Sequence, residues 1–188
     1  MDIASTQRRR WGWAAIRLRA SWALRVRAAS HKKKGSPDVS TLIIRPAERG
    51  DMAAIAEWNM AMAWETEQKQ LDLQVLSRGV AAVLDEPRRG FYLVAERDGA
   101  AAGCLLVTYE WSDWRNGDIW WIQSVYVTPD ARRGGVFRAM YADVAQRAKQ
   151  AGAVGLRLYV ETENLRAQQT YQGLGMEQCH YFMYEQMF

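Results

Sequence analysis

A glycine-rich basic turn, residues 128–135, is the segment of this sequence that points most directly to chemistry. It follows an apolar strand, and its last two residues, Gly134 and Gly135, let the backbone turn sharply and approach a ligand closely. The helix that opens at Val136 adds unpaired N–H groups and the positive end of its dipole. Such a turn favours an anion, above all a diphosphate, although the same pattern also occurs as a plain connection between a strand and a helix.

The turn matches neither of two common nucleotide-binding patterns. A P-loop has a Lys-Ser or Lys-Thr pair after its last glycine, where this chain has Val136 and Phe137, and the G-x-G-x-x-G spacing is absent. The turn resembles the Arg/Gln-x-x-Gly-x-Gly/Ala signature of the GNAT superfamily of acyl-CoA-dependent N-acyltransferases, with Arg132 in the first slot and Gly135 in the fourth. Phe137 replaces the usual Gly or Ala of the sixth slot, where it either crowds the diphosphate or packs inward.

A second segment, residues 157–176, carries the rest of the resemblance. It is similar to the superfamily's strand followed by Asn, Ala, Tyr and a Gly-Phe pair, with Asn164, Tyr171 and, in place of the Phe, Met176. Asn164 and Tyr171 are seven residues apart, about 700° of helical rotation, so both side chains face one ligand. The resemblance covers approximately residues 41–188.

The resemblance implies an α/β fold of the GNAT type, a central, splayed, mostly antiparallel sheet flanked by helices. It also implies acetyl-CoA as the acyl donor, without a metal. Tyr171 would protonate the departing thiolate, because a phenol with a pKa of about 10 suits a thiol whose pKa is about 8.5. The implied cofactor-binding residues are Val125, Tyr126, Val127, Arg132, Arg133, Gly134, Gly135, Val136, Phe137 and Asn164.

Acidic residues are the candidates for the acceptor side, because an amine loses a proton as it attacks a thioester. The candidate bases are Glu110 at the end of a strand, Glu65 and Glu67 on the first helical hairpin, and Asp113 in a loop; none is decisive, and we select Glu110. The predicted substrate-binding residues are Glu65, Glu67, Trp111 and Asp113. Each of these acids also fits the description of a solvated surface residue, since Asp and Glu are seldom buried.

Tryptophans are concentrated around one predicted hairpin, at Trp111, Trp114, Trp120 and Trp121. Adjacent residues of a strand point to opposite faces, so some of these rings face solvent or a pocket. Aromatic walls next to an acid suit a cationic amine, whereas the alternative is a role in the core and in a dimer contact. Both interpretations stay open.

Hydrophobic periodicity and breaker residues predict the elements that position these groups. The expected order is β-α-α-β-β-β-α-β-α-β. The predicted strands are 41–45, 91–96, 103–110, 119–127, 156–160 and 177–187. The predicted helices begin after residue 51, near residue 71, at residue 136 and at residue 165, and the third of them spans 136–150.

Length and composition fit one soluble α/β domain. The chain has 188 residues, 49% hydrophobic and 24% charged, which suffices for a core. It contains no stretch of about 18 uncharged apolar residues, so we predict no membrane span and a cytoplasmic location. Two cysteines and two histidines offer too little material for a disulfide framework, a Cys-based zinc site or a Ser-His-Asp triad.

Net positive charge is confined to the N-terminal segment. Residues 1–37 hold ten Lys or Arg against one acid, whereas the rest of the chain has 15 basic and 20 acidic residues. We assign 1–38 as a basic leader, either disordered (as a targeting segment or an anion-binding arm) or the product of a misassigned start, and 39–188 as the N-acetyltransferase domain. Nucleic acid is therefore not an expected partner except through the leader.

The sequence thus predicts direct acetyl transfer from acetyl-CoA to a primary amine in a ternary complex. A non-catalytic acyl-CoA-binding regulatory module of the same fold is the alternative. The expected partner is a small-molecule or peptide amine, and the chain leaves open whether that amine is a metabolite, an antibiotic, a peptide terminus or a protein lysine. It also leaves open whether the protein is a homodimer.

Overall fold

The computed structural model describes residues 40–188, so the predicted leader at 1–38 lies outside the described residues. The elements are β1 (Leu42–Pro46), α1 (Met52–Glu67), α2 (Leu73–Asp85), β2 (Phe91–Arg97), β3 (Ala100–Ser112), β4 (Gly117–Val127), α3 (Val136–Gln150), β5 (Gly155–Arg157) and α4 (Leu165–Gln172). Short 3-10 turns precede α1 and α3. All four predicted helices form, and α3 has the predicted bounds.

The five strands make one mixed sheet in the order β1-β2-β3-β4-β5. The first four strands are antiparallel, whereas β5 runs parallel to β4 and pairs only from Ile119 to Trp121. Beyond Trp121, within the described part of the chain, β4 has a strand partner on its β3 side alone. The predicted α/β fold with a splayed, mostly antiparallel sheet is confirmed, and the limited pairing leaves an opening between β4 and β5 beyond Trp121.

Helices cover both faces of the sheet, because strand residues alternate in direction. On one face, Ile55 of α1 and Val80 of α2 are buried against Val94 of β2. On the other face, Met140 of α3 is buried against Leu93 of β2. The buried positions of α3 recur every four residues, the spacing of a helix with one apolar face. This packing fixes the start of α3 against the end of β4.

The prediction of a sixth strand at 177–187 was wrong. Residues 177–188 contain no strand, and their aromatic side chains are exposed. The alternating aromatic pattern has high strand propensity, but a strand also needs a partner edge. The predicted fifth strand, 156–160, is reduced to Gly155–Arg157, so the edge beside it presents only three paired residues.

A half-buried ion pair ties β1 to the turn before α1. Arg45 donates through Nη1 and Nη2 to the carboxylate of Asp51 at 2.7 and 2.8 Å, and through Nε to Glu96 at 2.7 Å. The Asp51 carboxylate also accepts from the amide of Glu48 at 2.7 Å. The hydrogen bonds from Arg45 hold the pKa of Asp51 below its ordinary value.

Asp51→Asn should lower the free energy of unfolding by about 2 kcal/mol, because charge-assisted hydrogen bonds to Arg45 are lost. A carboxyl whose pKa is depressed in the folded state stabilises the fold above its unfolded pKa of about 3.9 and loses that contribution as the pH falls. The difference between wild type and variant should therefore shrink below about pH 4. Urea unfolding at pH 7 and pH 3 measures it. Glu57→Gln, on the exposed face of α1, is the control, and an equal loss there would contradict the assignment.

Candidate active site

The turn after β4 presents a row of backbone N–H groups. The amides of Ala131 and Arg132 both donate to the carbonyl of Thr128, at 2.9 and 3.1 Å. Arg133 and Gly135 have left-handed φ values of 63° and 77°. The amides of residues 133–137 donate to no backbone carbonyl of residues 40–188. Alternating right- and left-handed backbone makes a concave nest of donors, and this one lies at the N-terminus of α3.

Phe137 packs inward, away from the nest. Its half-buried ring lies against the core under α3 and contacts Tyr141, with ring centres 6.3 Å apart. It also meets Tyr171 edge to face at 5.6 Å. Of the two alternatives for the sixth slot, inward packing is the one that the structure shows. The ring of Phe137 therefore packs between α3 and α4 and does not cover the amides of the turn.

Tyr171 lies on α4, beside the first turn of α3. Its side chain is half-buried, and burial raises the pKa of the phenol above its usual value, so it carries its proton at neutral pH. The helix is positioned by Asn164, whose side-chain oxygen accepts from the amide of Ala167 at 3.1 Å. Asn164 is thus the N-cap of α4, as its position before a predicted helix at 165 indicates.

Val125 and Val127 lie on β4 beside the opening. On one side they pair with Leu105 and Gly103 of β3. The carbonyl of Val127 also accepts from Nε of Arg132 at 2.9 Å. This bond folds the side chain of Arg132 back along the end of β4 and occupies the carbonyl of Val127, whereas Arg132 makes no bond to the backbone of Val125.

The last turn of α1 is joined to the turn after β4 by a cluster of polar and aromatic groups. Arg132 Nη2 lies 2.6 Å from Glu65 Oε2, and the hydroxyl of Tyr126 donates to Glu65 Oε1 at 3.2 Å. The guanidinium also lies over the Tyr126 ring, 5.5 Å from its centre. Burial, followed by the neighbouring Glu65, raises the pKa of Tyr126. The structure therefore brings Glu65, predicted to bind the acceptor, together with two residues predicted to bind the donor.

Glu110 lies at the point where β4 and β5 diverge. Both of its oxygens accept from Nη1 of Arg157 on β5, at 2.7 and 2.9 Å, and the indole N–H of Trp121 donates to one of them. The guanidinium of Arg157 lies 5.4 Å from the centre of the Trp121 ring. Sequence reasoning did not single out Arg157. Its position in the predicted strand of the second motif could have pointed to it. Its partner, Glu110, is 47 positions away along the chain, so the pairing cannot be read from a local pattern.

The tip of the β3–β4 hairpin lies apart from the nest. Trp111 and Trp114 are 61% and 85% exposed there, and Asp113 accepts from the amide of Trp114 in the turn. The ten steps along β4 from Gly117 to Val127 correspond to about 30 Å of strand. Trp120, by contrast, is buried in the core. The structure thus separates Trp111 and Asp113 from the turn after β4, while Glu67 is an exposed last residue of α1.

The described residues include few groups suited to a cysteine nucleophile or a metal site. Burial raises the pKa of the Cys104 thiol to about 12, so it is protonated and unsuited to nucleophilic attack. Residues 40–188 hold no group of three His, Cys, Asp or Glu side chains arranged for a metal ion. Within the same range, every helix is too short or too polar to cross a membrane.

Residues 47–176 match the model of the acetyltransferase (GNAT) family. The chain belongs to this family. The match begins before α1 and ends after α4, and it contains both the nest and Tyr171.

Similar proteins share this assignment. A mycothiol acetyltransferase of Corynebacterium aurimucosum is 32% identical over 127 residues, which is 64% of this chain. The chain spans only 42% of that relative's length. The crystal structure of a possible acetyltransferase from Clostridium difficile 630 is 43% identical, with a TM-score of 0.73, and the match covers 78% of this chain and 97% of that one.

An aminoglycoside N-acetyltransferase in complex with CoA shares the fold at 17% identity, with a TM-score of 0.68. That match covers 81% of this chain and 98% of the aminoglycoside enzyme.

Proposed function

We propose that this chain is an N-acetyltransferase that moves an acetyl group from acetyl-CoA to a primary amine by direct attack in a ternary complex. The observation that carries the proposal is the row of amides at 133–137, which have no backbone acceptor among residues 40–188 and lie beside the opening between β4 and β5. Tyr171, packed against Phe137 in the first turn of α3, supplies an acid next to it. Membership of the acetyltransferase family and the acetyltransferase relatives support the same activity.

The proposed donor site has two parts. The amides of the nest and the positive end of α3 hold the diphosphate, without any need for a side-chain cation. The backbone of Val125 pairs with the pantetheine in the opening beyond Trp121. The inward packing of Phe137 and the N-cap at Asn164 keep α3 and α4 in place on either side. The residues proposed to bind the donor are Val125, Tyr126, Val127, Arg132, Arg133, Gly134, Gly135, Val136, Phe137 and Asn164.

In the proposed reaction the amine nitrogen attacks the thioester carbonyl, so that a C–N bond forms and the C–S bond breaks. Tyr171 gives its proton to the departing sulfur, and it is protonated beforehand because burial raises the pKa of its phenol. The proton lost by the amine passes through water to Glu110. The side chains of Arg157 and Trp121 hold that carboxylate in place. No covalent intermediate on the protein is needed.

Glu110→Gln should lower kcat by roughly a hundredfold, the lower end of the typical contribution of a general base. The amide side chain keeps the size of the carboxylate but cannot accept a proton. The binding of CoA, measured by calorimetry, should change little. Glu86→Gln at the end of α2, where the carboxylate pairs with the exposed Arg88, is the control for loss of a surface charge. Equal kcat values for Glu110→Gln and wild type would remove Glu110 from the mechanism.

The activity itself is tested by incubating the full chain with acetyl-CoA and a panel of amines. The panel includes metabolites, aminoglycosides, peptide N-termini and lysine peptides, and the readouts are free thiol and product mass. We expect thiol release that depends on one class of amine, with intersecting initial-rate patterns. Ping-pong patterns would contradict direct attack. A chain that binds CoA but acetylates nothing would contradict the enzymatic proposal.

A further inference from the structure

Arg97 reaches the nest from a different part of the fold. It is the last residue of β2, it is half-buried, and neither sequence motif includes it. Its guanidinium donates through Nη1 to the carbonyl of Ala131 at 3.4 Å and through Nη2 to the carbonyl of Gly134. The two acceptors are 34 and 37 positions away along the chain. One side chain therefore bridges both ends of the turn that precedes α3.

This bridge fixes the direction in which the turn presents its donors. In a trans peptide the C=O and the following N–H point in opposite directions. Because the carbonyl of Gly134 faces Arg97, the N–H of Gly135 faces away from it, toward the open side of the turn. The amide of Gly135 belongs to the row that has no backbone acceptor within residues 40–188.

The absence of a side chain at Gly134 leaves room for the guanidinium of Arg97. A Cβ at Gly134 would lie 2.1 Å from Nη1 and 2.5 Å from Nη2 of Arg97. The backbone of Gly134 is not in the left-handed region, so its conformation is open to residues with a side chain. The guanidinium is thus the group that a side chain here would displace.

The charge of Arg97 lies directly against the turn. Its Nε is buried and has no hydrogen-bond partner among residues 40–188. A guanidinium remains charged at all relevant pH values, so it adds a fixed positive potential behind the amides.

We infer that Arg97 is a positioning residue of the diphosphate site, which holds the carbonyls of the turn inward and its amides outward. The inference rests on the proposed function, because it assigns Arg97 a role toward the same ligand. Arg97 bridges the turn from behind, so its loss should weaken binding of the donor and leave the chemical step unchanged.

The test compares Arg97→Met and Arg97→Lys with wild type in the full-length chain. Arg97→Met should raise the Kd for CoA and the KM for acetyl-CoA about tenfold, the effect of losing two bonds to a charged donor, while kcat at saturation stays within about twofold. Arg97→Lys keeps the positive charge but cannot bridge two carbonyls. Its Kd for CoA and its KM for acetyl-CoA should therefore fall between those of wild type and Arg97→Met. Arg88→Met, an exposed arginine at the end of α2, is the matched control and should equal wild type.

A double-mutant cycle with Gly134→Ala separates positioning from a general loss of stability. In wild type the new methyl group should displace Arg97 and raise the Kd for CoA by a similar factor. In the Arg97→Met background the same change should add less than about twofold, because the colliding atoms are gone. Additive effects would overturn the inference, and so would a change in kcat without a change in KM.

If Arg97→Met is too unstable to purify, Gly134→Ala alone still tests the inference, since it retains every packed side chain. Wild-type affinity in Gly134→Ala would then overturn it. A wild-type chain without affinity for CoA would overturn the proposed function together with this inference. Wild-type binding with an unchanged Kd in Arg97→Met would overturn the inference alone.

Discussion

Gly135→Asp should weaken the binding of CoA about a thousandfold while the protein stays folded. A carboxylate at this N-cap position lies beside the amides of the first turn of α3 and the positive end of its dipole, which offsets part of the strain of a side chain at φ 77°. The same carboxylate occupies the donors that the diphosphate requires, and it repels the ligand. Two like charges about 4 Å apart near a protein surface cost about 4 kcal/mol, which is about a factor of 10³ in Kd.

Gly135→Asn is the matched control for this substitution. Asn tolerates the left-handed backbone at φ 77° and has nearly the same shape, but it is neutral. We expect a loss of affinity of about tenfold or less, together with a melting temperature close to that of the Asp variant. Equal losses in the two variants would show that backbone geometry, rather than charge at the nest, controls binding.

Tyr171→Phe should lower kcat about a thousandfold and leave the Kd for CoA unchanged, because the hydroxyl acts only when the thiolate departs. The ring that packs on Phe137 is retained. Tyr141→Phe is the matched control, since Tyr141 is a half-buried phenol that contacts the same Phe137 ring from α3. Its kcat should equal that of wild type. A Tyr171→Phe enzyme with full turnover would remove the proposed acid.

The pH profile gives a second check on Tyr171. Burial raises the pKa of this phenol, so the midpoint of its deprotonation lies above its ordinary value of about 10. The kcat of wild type should therefore show no loss from this group below about pH 9. A fall in kcat near pH 8 that disappears in Tyr171→Phe would contradict the assignment.

The sequence alone was sufficient for most of the fold, because the relevant patterns are local. The bounds of α3 follow from apolar residues at helical spacing after Gly135, and the central strands follow from β-branched and aromatic runs between turns. The failure at 177–187 has a physical reason. Alternation predicts that a segment can form a strand, but the availability of a partner edge depends on how far β5 extends.

The candidate site was predicted in its local parts and missed in its long-range contacts. The nest, Gly135 and Tyr171 belong to short motifs. The pairing of Glu65 with Arg132 joins residues 67 positions apart, and it depends on how α1 packs on the sheet. Arg97 and Arg157 act through partners 34 to 47 positions away. No local pattern encodes the strand order and register that bring such side chains together. The cytoplasmic location remains a prediction, and the oligomeric state remains open.

The central claim is that the amides at 133–137 hold the diphosphate of an acyl-CoA, and calorimetry tests it most directly. The wild-type chain is titrated at about 0.15 M salt with CoA and, separately, with pantetheine, which lacks the diphosphate. We expect saturable heat with CoA and a Kd of about 10 μM, within the usual range for enzyme substrates, and binding of pantetheine at least about a hundredfold weaker. No heat with CoA, or equal affinity for the two compounds, would contradict the claim.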